Sequence, residues 1–220
     1  MDKKIIIYVL CYDDDTEEFS NIYFKHYNWA RIYRIKNQSH LFEGVMYQTE
    51  LLELYDEWKD AEYVGTISHS FFKKMKIEQL LYNLNISSPL LHDVVIFKSV
   101  ANDLFHLHSN PDLKRAYQEI YRQTMPFRFS RVIQRYSIYN YWMAKPTFML
   151  RYIQFFNSIW LPAVEKHPLI WNNAGYSDEK LSPEALSKLT KRVPHYPMHP
   201  FMNERIAIQF FKGINAKMLF

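Results

Sequence analysis

Residues 4–15 read KIIIYVLCYDDD, a nearly continuous apolar run that ends in three acidic residues. Such a run is typical of a parallel β-strand that is covered by other elements on both faces. In open α/β sheets, ligands bind at the carboxyl ends of these strands. The stretch therefore predicts a strand over residues 4–10, and it places Tyr12, Asp13 and Asp14 at an edge suited to a ligand.

The rest of the chain alternates predicted strands with predicted helices. Strands are predicted at 30–35, 63–67, 93–97 and 136–143, and helices at 43–59, at 110–123 and from Pro146 onwards, the last with Met149, Tyr152, Ile153, Phe156 and Trp160 facing inward. Beyond it we expect an irregular loop over 167–181, a short helix from Ser182, an irregular proline-rich stretch over 193–205 and a last element to Phe211. The alternation predicts an α/β fold, a three-layer sandwich with a mostly parallel (mixed) sheet between helices.

Composition narrows the class of protein. The 220 residues are 48% hydrophobic, which predicts a single packed domain over 1–220, and the ending GINAKMLF permits it to be the N-terminal domain of a longer protein. With only four glycines, the chain contains neither a Walker loop nor a dinucleotide-binding glycine motif. No apolar run reaches the length of a membrane span. The single cysteine, Cys11, indicates a reducing compartment, so we expect a cytoplasmic location.

The sequence lacks the motifs that mark several kinds of catalytic and metal sites. There is no G-x-S-x-G, and Cys11 at the end of a buried strand is better explained as a packed thiol. No zinc-type spacing is present, and His106 and His108 would point in opposite directions on a strand. The net charge of +4 is mild, which argues against nucleic acid but permits a locally positive cleft for a phosphorylated small molecule.

What remains is a set of polar side chains near the ends of predicted strands and in the tail. They are Tyr12, Asp13, Asp14, Asp15, Ser68, His69, Ser70, Asp93, Asn140, His195, His199, Glu204 and Arg205. An aromatic ring stacks on a nucleobase, and neighbouring carboxylates accept from base N–H groups or ribose hydroxyls. A diphosphate needs cations, for which His69, His199, Lys73, Lys74 and Arg205 are candidates.

Each of these assignments has an ordinary alternative. Asp93 and Glu204 are the candidate general bases for a sugar hydroxyl. Asp93 is equally explained as a solubilising residue at a strand edge, and Glu204 with Arg205 as a surface ion pair. Asp13 to Asp15 could simply cap a helix.

Motifs over residues 43–211 resemble GT-A-type glycosyltransferases of the capsular-polysaccharide and galactofuranosyl transferase group. The resemblance rests on Glu50, Tyr55 and Trp58 in a helix, Val64-Gly65 in the next strand, Asp93-Val94-Val95, HLHSNPDL at 106–113, Tyr139 to Met143, and Glu204-Arg205. Similar compact domains occur in the glycosylation systems of large viruses. The resemblance implies a GT-A fold, a nucleoside-diphosphate sugar donor (a UDP-sugar is expected) and a glycan or glycoprotein acceptor, and in a virus it implies the host cytoplasm.

One departure from that group concerns the metal. The usual D-x-D at the end of the third strand is replaced by Ser68-His69-Ser70. The diphosphate must therefore be held either by a divalent metal, Mn²⁺ or Mg²⁺, on His69 and His199, or directly by Lys73, Lys74 or Arg205. We favour the metal, because neighbouring serines and acids bind its waters.

Two other functions stay open from the sequence. A non-catalytic interaction module that keeps the GT-A scaffold would explain the missing D-x-D. A nucleic-acid binder built on RFSRVIQRYSIYNYW (128–142) would explain the interleaved basic and aromatic residues, although a buried strand explains them better.

Overall fold

The computed structural model describes residues 4–36, 39–86, 91–101, 111–125, 135–137, 140–172 and 198–219. Several sequence predictions fall wholly or partly outside these residues: His106, His108 and His195, the helix start at Ser182, residues 106–110 and Tyr139 of the resemblance, and residues 128–134 of the basic and aromatic stretch. Within the described residues, no helix is both long enough and apolar enough to cross a bilayer.

A six-stranded sheet forms the centre of the molecule. Its strands are β1 (Ile5–Cys11), β2 (Ala30–Arg34), β3 (Tyr63–Ser68), β4 (Val94–Ile96), β7 (Trp142–Ala144) and β8 (Met218–Leu219), in the order β2-β1-β3-β7-β4-β8. A separate antiparallel pair consists of β5 (Ser99–Ala101) and β6 (Arg135–Ser137). β1 is parallel to β2 and β3, β4 is parallel to β8, and β7 runs against its neighbours β3 and β4. The sheet is therefore mixed, with β7 as its one reversed strand.

Helices flank this sheet. They are α1 (Asp14–Phe24), α2 (Leu51–Glu53), α3 (Tyr55–Trp58), α4 (Ile77–Ile86), α5 (Pro111–Thr124), α6 (Pro146–Phe155), α7 (Leu161–Lys166), α8 (Pro168–Asn172) and α9 (His199–Gly213). A π-turn, Met46–Glu50, precedes α2, and a second one, Phe156–Trp160, joins α6 to α7. A 3₁₀ turn, His69–Lys73, follows β3. The predicted α/β class with a mixed sheet between helices is confirmed.

The side chains of β1 alternate between two hydrophobic cores. Ile6, Tyr8 and Leu10 pack in the larger core, with residues of α5, α6 and α9. Ile7 and Val9 pack on the other face of the sheet, in the core that contains Phe24 and Leu80 of α1 and α4. Burial on both faces is the physical reason why this strand reads as a continuous apolar run.

The pairing register defines two opposite edges of the sheet. Val64, Ala144 and Val94 lie in one row across β3, β7 and β4. We call the side where β1 and β3 end the carboxyl edge, and the side where β3 and β4 begin the amino edge. Ser68 lies at the carboxyl edge, whereas Asp93, directly before β4, lies at the amino edge.

Two predicted elements are interrupted where the backbone leaves regular geometry. The strand predicted over 136–143 is two strands, β6 and β7, and Asn140 between them has a left-handed φ of 56°. The helix predicted over 43–59 begins at residue 44 and is broken at Leu54, whose φ and ψ are −88° and 8°.

In the C-terminal part of the chain, two stretches predicted to be irregular contain helices that begin near a proline. The predicted loop over 167–181 contains α8, which begins at Pro168, and the described end of the predicted irregular stretch 193–205 belongs to α9. Pro168 and Pro200 both occupy the first turn of their helix. A proline is tolerated there because the backbone N–H that it lacks would have no partner within the helix. The five inward positions predicted from Met149 to Trp160 are confirmed, since all are buried.

Candidate functional site

Tyr12 and His69 meet at the carboxyl edge. They directly follow β1 and β3, which are neighbouring parallel strands. Their rings stand edge to face, with centroids 5.9 Å apart. Two of the residues predicted for nucleotide and metal binding are therefore brought into contact by the sheet itself.

His69 is partly buried in this arrangement. Burial lowers the pKa of its imidazole below the ordinary value, against weaker opposing effects from the Leu10 carbonyl and from the carboxylates of Glu43 and Asp13. The ring is therefore predominantly neutral at pH 7. A neutral imidazole can accept a proton or bind a metal.

The serines on either side of His69 are held in internal hydrogen bonds. The Ser68 hydroxyl lies 2.5 Å from the Tyr141 hydroxyl and 3.1 Å from that of Ser70. Ser68 is also buried. Ser68 and Ser70 thus position the turn that carries His69, while the Lys73 side chain further along this turn is exposed.

Asn140 lies at the carboxyl edge, two residues before the start of β7. Its backbone carbonyl accepts a hydrogen bond of 3.4 Å from the Thr66 hydroxyl of β3. The side chain is buried, and its Oδ1 has no hydrogen-bond partner among the described residues. An unsatisfied buried carbonyl oxygen is costly, so this atom is a candidate acceptor for a bound ligand.

Asp13 and Asp14 both make local interactions. Asp13 caps α1: its carboxylate accepts from the Thr16 backbone N–H at 2.9 Å and from the Thr16 hydroxyl at 2.7 Å, and these hydrogen bonds lower the pKa of Asp13. Asp14 lies 2.5 Å from the guanidinium of Arg34, and both side chains are exposed. The helix-cap alternative is thus confirmed for Asp13.

Asp93 does not share this edge, which corrects the prediction that all the polar strand ends lie on one rim. It precedes β4, which runs in the same direction as β3, so it lies at the amino edge. There its carboxylate lies 3.0 Å from the Lys145 ammonium. Asp93 is therefore separated by the length of the strands from Tyr12 and His69.

Glu204 and Arg205 lie on α9, and the burial of Arg205 argues against a surface ion pair, which was the ordinary alternative. Arg205 is 1% exposed, and its guanidinium donates a hydrogen bond of 2.5 Å to the Phe201 carbonyl one turn earlier. A guanidinium buried within the protein is poorly placed to reach a diphosphate. Glu204 is partly exposed.

His199 belongs to a cluster that the sequence did not predict. Within the described residues, His40, Glu165 and His199 are the one group of at least three histidine, cysteine or acidic residues whose ligand atoms all lie within 4.8 Å of one another. His69, the predicted partner of His199, is not a member of it. The three residues are far apart in sequence and form no spacing motif, so no local signal could have found them.

One member of the cluster, His40, is connected along the chain to the carboxyl edge. His40 is in the segment that follows β2, whose last residue, Arg34, pairs with Cys11 at the carboxyl edge. This segment also carries Glu43, whose charge acts on His69. The carboxyl edge therefore carries the Tyr12–His69 pair, and the segment that follows β2 leads from this edge to His40.

Two grooves of about 620 and 760 Å³ lie elsewhere, among the helices. The described residues that line them come from α5 and the residue after it, from α6, α7 and α8 with the residues that join them, and from the end of α9. None of the predicted site residues in the described ranges lines either groove. We therefore place the candidate site at the carboxyl edge on the chemistry of its side chains.

No protein-family model matches this chain, and comparisons with curated proteins and with solved structures give no match.

Proposed function

We propose that this chain is a glycosyltransferase with a GT-A-like three-layer sandwich, which moves a sugar from a nucleoside-diphosphate donor to a glycan or glycoprotein acceptor. The observation that carries the proposal is the meeting of Tyr12 and His69, 5.9 Å apart, at the carboxyl ends of two parallel strands. In open α/β sheets this is where nucleotides bind. The proposal also rests on the sequence resemblance to GT-A-type glycosyltransferases. A mixed sheet with one reversed strand is compatible with that resemblance.

In this proposal the donor binds along the carboxyl edge. The ring of Tyr12 packs against the base, expected to be uracil, and the neutral imidazole of His69 faces the diphosphate. Lys73 is exposed on the turn that follows β3 and supplies positive charge. Asn140 offers its buried amide oxygen as an acceptor for a ribose or sugar hydroxyl.

Of the two predicted bases, Glu204 is the one retained in the proposal. Asp93 lies at the amino edge in an ion pair. Glu204 is partly exposed on α9, so its carboxylate is accessible to an acceptor hydroxyl. The proposal therefore expects Glu204→Gln to reduce sugar transfer while it leaves donor binding unchanged.

Nucleotide binding is the direct test. Thermal unfolding is measured with UDP, GDP and CDP, with and without Mn²⁺, and calorimetry gives the Kd. A ligand at 100 times its Kd adds about 2.7 kcal/mol to the free energy of unfolding. We expect Tyr12→Ala to weaken UDP binding at least about ten-fold, through the loss of roughly 1.4 kcal/mol of stacking.

Tyr82→Ala is the matched control, because Tyr82 is 58% exposed on α4. It should bind UDP like the wild type. Absence of binding by all three nucleotides, or equal binding by the Tyr12 and Tyr82 variants, contradicts the proposed site.

The second candidate, a non-catalytic module, is favoured by one observation: Ser68-His69-Ser70, at and just after the end of β3, stand where the metal-binding carboxylates of a D-x-D would be. Incubation with UDP-glucose and UDP-galactose, followed by chromatography for free UDP, separates the two. UDP release above that of Glu204→Gln supports the enzyme, whereas UDP binding with no release from a panel of UDP-sugars supports the module.

A further inference from the structure

Three segments that are distant in sequence bring two imidazoles and one carboxylate to a common point. The Nε2 atom of His40 lies 2.6 Å from Oε1 of Glu165, and Nε2 of His199 lies 3.5 Å from the same oxygen. The two imidazole rings stand edge to face, with centroids 4.6 Å apart. Both histidines thus present the same type of nitrogen to a single carboxylate oxygen.

The cluster is held in place by its surroundings and is open on one side. His199 is fully buried, whereas 14% of the His40 side chain and 27% of the Glu165 side chain are exposed. The Trp171 ring packs against both imidazoles, and its Nε1 donates a hydrogen bond of 2.6 Å to the Glu165 carbonyl. The positions of the three side chains are therefore restricted, and solvent can reach the carboxylate.

We propose that His40, Glu165 and His199 bind one divalent transition-metal ion, with Zn²⁺ as the reference ion. Two imidazole nitrogens and one carboxylate oxygen are a donor set that suits zinc and its neighbours, whereas Mg²⁺ and Ca²⁺ prefer sites built from oxygen. Three protein ligands leave a fourth position for water or a substrate atom. This site goes beyond the proposed sugar transfer and does not depend on it.

The two distances to the Glu165 oxygen need little change to accept an ion, and the ligand atoms of all three residues lie within 4.8 Å of one another. Ligand atoms that lie about 2.0–2.2 Å from a tetrahedral ion are roughly 3.3 Å from one another. The distance from Glu165 to His199 already matches this spacing, and the distance from Glu165 to His40 must increase by less than about 1 Å. A rotation of the partly exposed Glu165 carboxylate supplies that movement.

The ordinary alternative is a hydrogen-bonded His–Glu–His cluster that only ties the segment after β2 to α7 and α9. Metal titration separates the two. Protein stripped with a chelator is titrated with Zn²⁺ and with Mg²⁺ by calorimetry, and bound zinc is counted by elemental analysis. We expect one Zn²⁺ per chain and at least 100-fold weaker binding of Mg²⁺.

The variants are chosen to leave the fold intact. Glu165→Gln keeps the shape and a hydrogen-bond acceptor but loses the charge, and His40→Gln removes one nitrogen ligand. Each should weaken Zn²⁺ binding at least about ten-fold. His26→Gln removes an exposed histidine far from the cluster in sequence and should bind Zn²⁺ like the wild type.

Cobalt gives a readout that a purely structural role would not change. Co²⁺ in the wild type should show the visible absorption of a four- or five-coordinate nitrogen and oxygen site, and Glu165→Gln should lose it. Failure of the wild type to bind Zn²⁺, or equal binding by the wild type and both cluster variants, overturns the proposal. UDP binding by the Tyr12 site is measured separately, so the failure of either proposal is distinguished from the failure of the other.

Discussion

The carboxylate of Asp93 lies between Lys145 and Lys217: one oxygen is 3.0 Å from the Lys145 ammonium, and the other accepts a 3.0 Å hydrogen bond from the Lys217 backbone N–H. Backbone hydrogen bonds from Asp93 to Lys217 and from Lys145 to Asp93, of 2.7 and 2.9 Å, join the same three segments. Asp93 therefore fastens the start of β4 to the end of β7 and to the start of β8.

Replacing Asp93 with Asn should affect stability and leave chemistry intact. The amide keeps an acceptor for Lys217 but removes the charge that faces Lys145, so we expect a loss of about 1–2 kcal/mol in the free energy of unfolding. Urea unfolding at pH 7 measures it. Asp60→Asn, at an exposed site, is the control and should change little. A stable Asp93→Asn protein that had lost sugar transfer would restore Asp93 as the base.

The stability that the Asp93 carboxylate contributes should depend on pH. Burial alone would raise the pKa of Asp93, but the hydrogen bond from Lys217 and the ion pair with Lys145 outweigh it and lower the pKa below the ordinary value. A carboxyl group whose pKa is lower in the folded state stabilises the fold above its unfolded pKa, about 3.9. The difference between wild type and Asp93→Asn should therefore be full at pH 6–7 and should shrink as the pH falls below about 4.

Gly65 is required by the close approach of β3 and β7. A Cβ atom at this position would lie 2.5 Å from the Trp142 carbonyl oxygen and 2.7 Å from Cβ of Met143. Both distances are shorter than non-bonded atoms can approach. Because the Trp142 oxygen belongs to the backbone, β3 and β7 would have to move apart. We expect Gly65→Ala to lower the free energy of unfolding by about 3 kcal/mol, at the upper end of the range for overpacking.

Thermal unfolding of Gly65→Ala measures this effect, and Gly213→Ala, near the end of α9, is the control. An unchanged melting temperature in Gly65→Ala would show that the two strands are not held at this distance.

The elements that depend on local patterns could be predicted from the sequence, and those that depend on pairing could not. The apolar run of β1 and the inward face from Met149 onwards are visible along the chain. The edge at which Asp93 lies depends on the direction of β4, which is fixed by its pairing with the distant strands β7 and β8. The cluster of His40, Glu165 and His199 likewise exists only after folding.

Asp13 gives a test that separates a helix cap from a ligand-binding role. Asp13→Ala removes the hydrogen bonds to Thr16, and we expect it to lower the free energy of unfolding by about 1 kcal/mol. Asp13→Ser can still cap the helix and should retain most of the stability. If Asp13 also binds the nucleotide, both variants should weaken UDP binding; if it is only a cap, the Ser variant should bind UDP like the wild type. Urea unfolding and calorimetry provide the two measurements.

His69 should make the fold less stable in mild acid. Burial lowers the pKa of its imidazole in the folded protein, so the unfolded chain binds a proton more readily as the pH falls through about 6.5, the ordinary pKa of histidine. Proton binding by the unfolded state favours unfolding, so stability should decrease from pH 7.5 to pH 5.5. His69→Gln should reduce this slope, whereas His26→Gln, at an exposed site, should keep it. Urea unfolding across this range measures the slope, and an NMR titration of the His69 ring gives its pKa directly. A His69 resonance that titrates at or above pH 6.5 would contradict the lowered pKa.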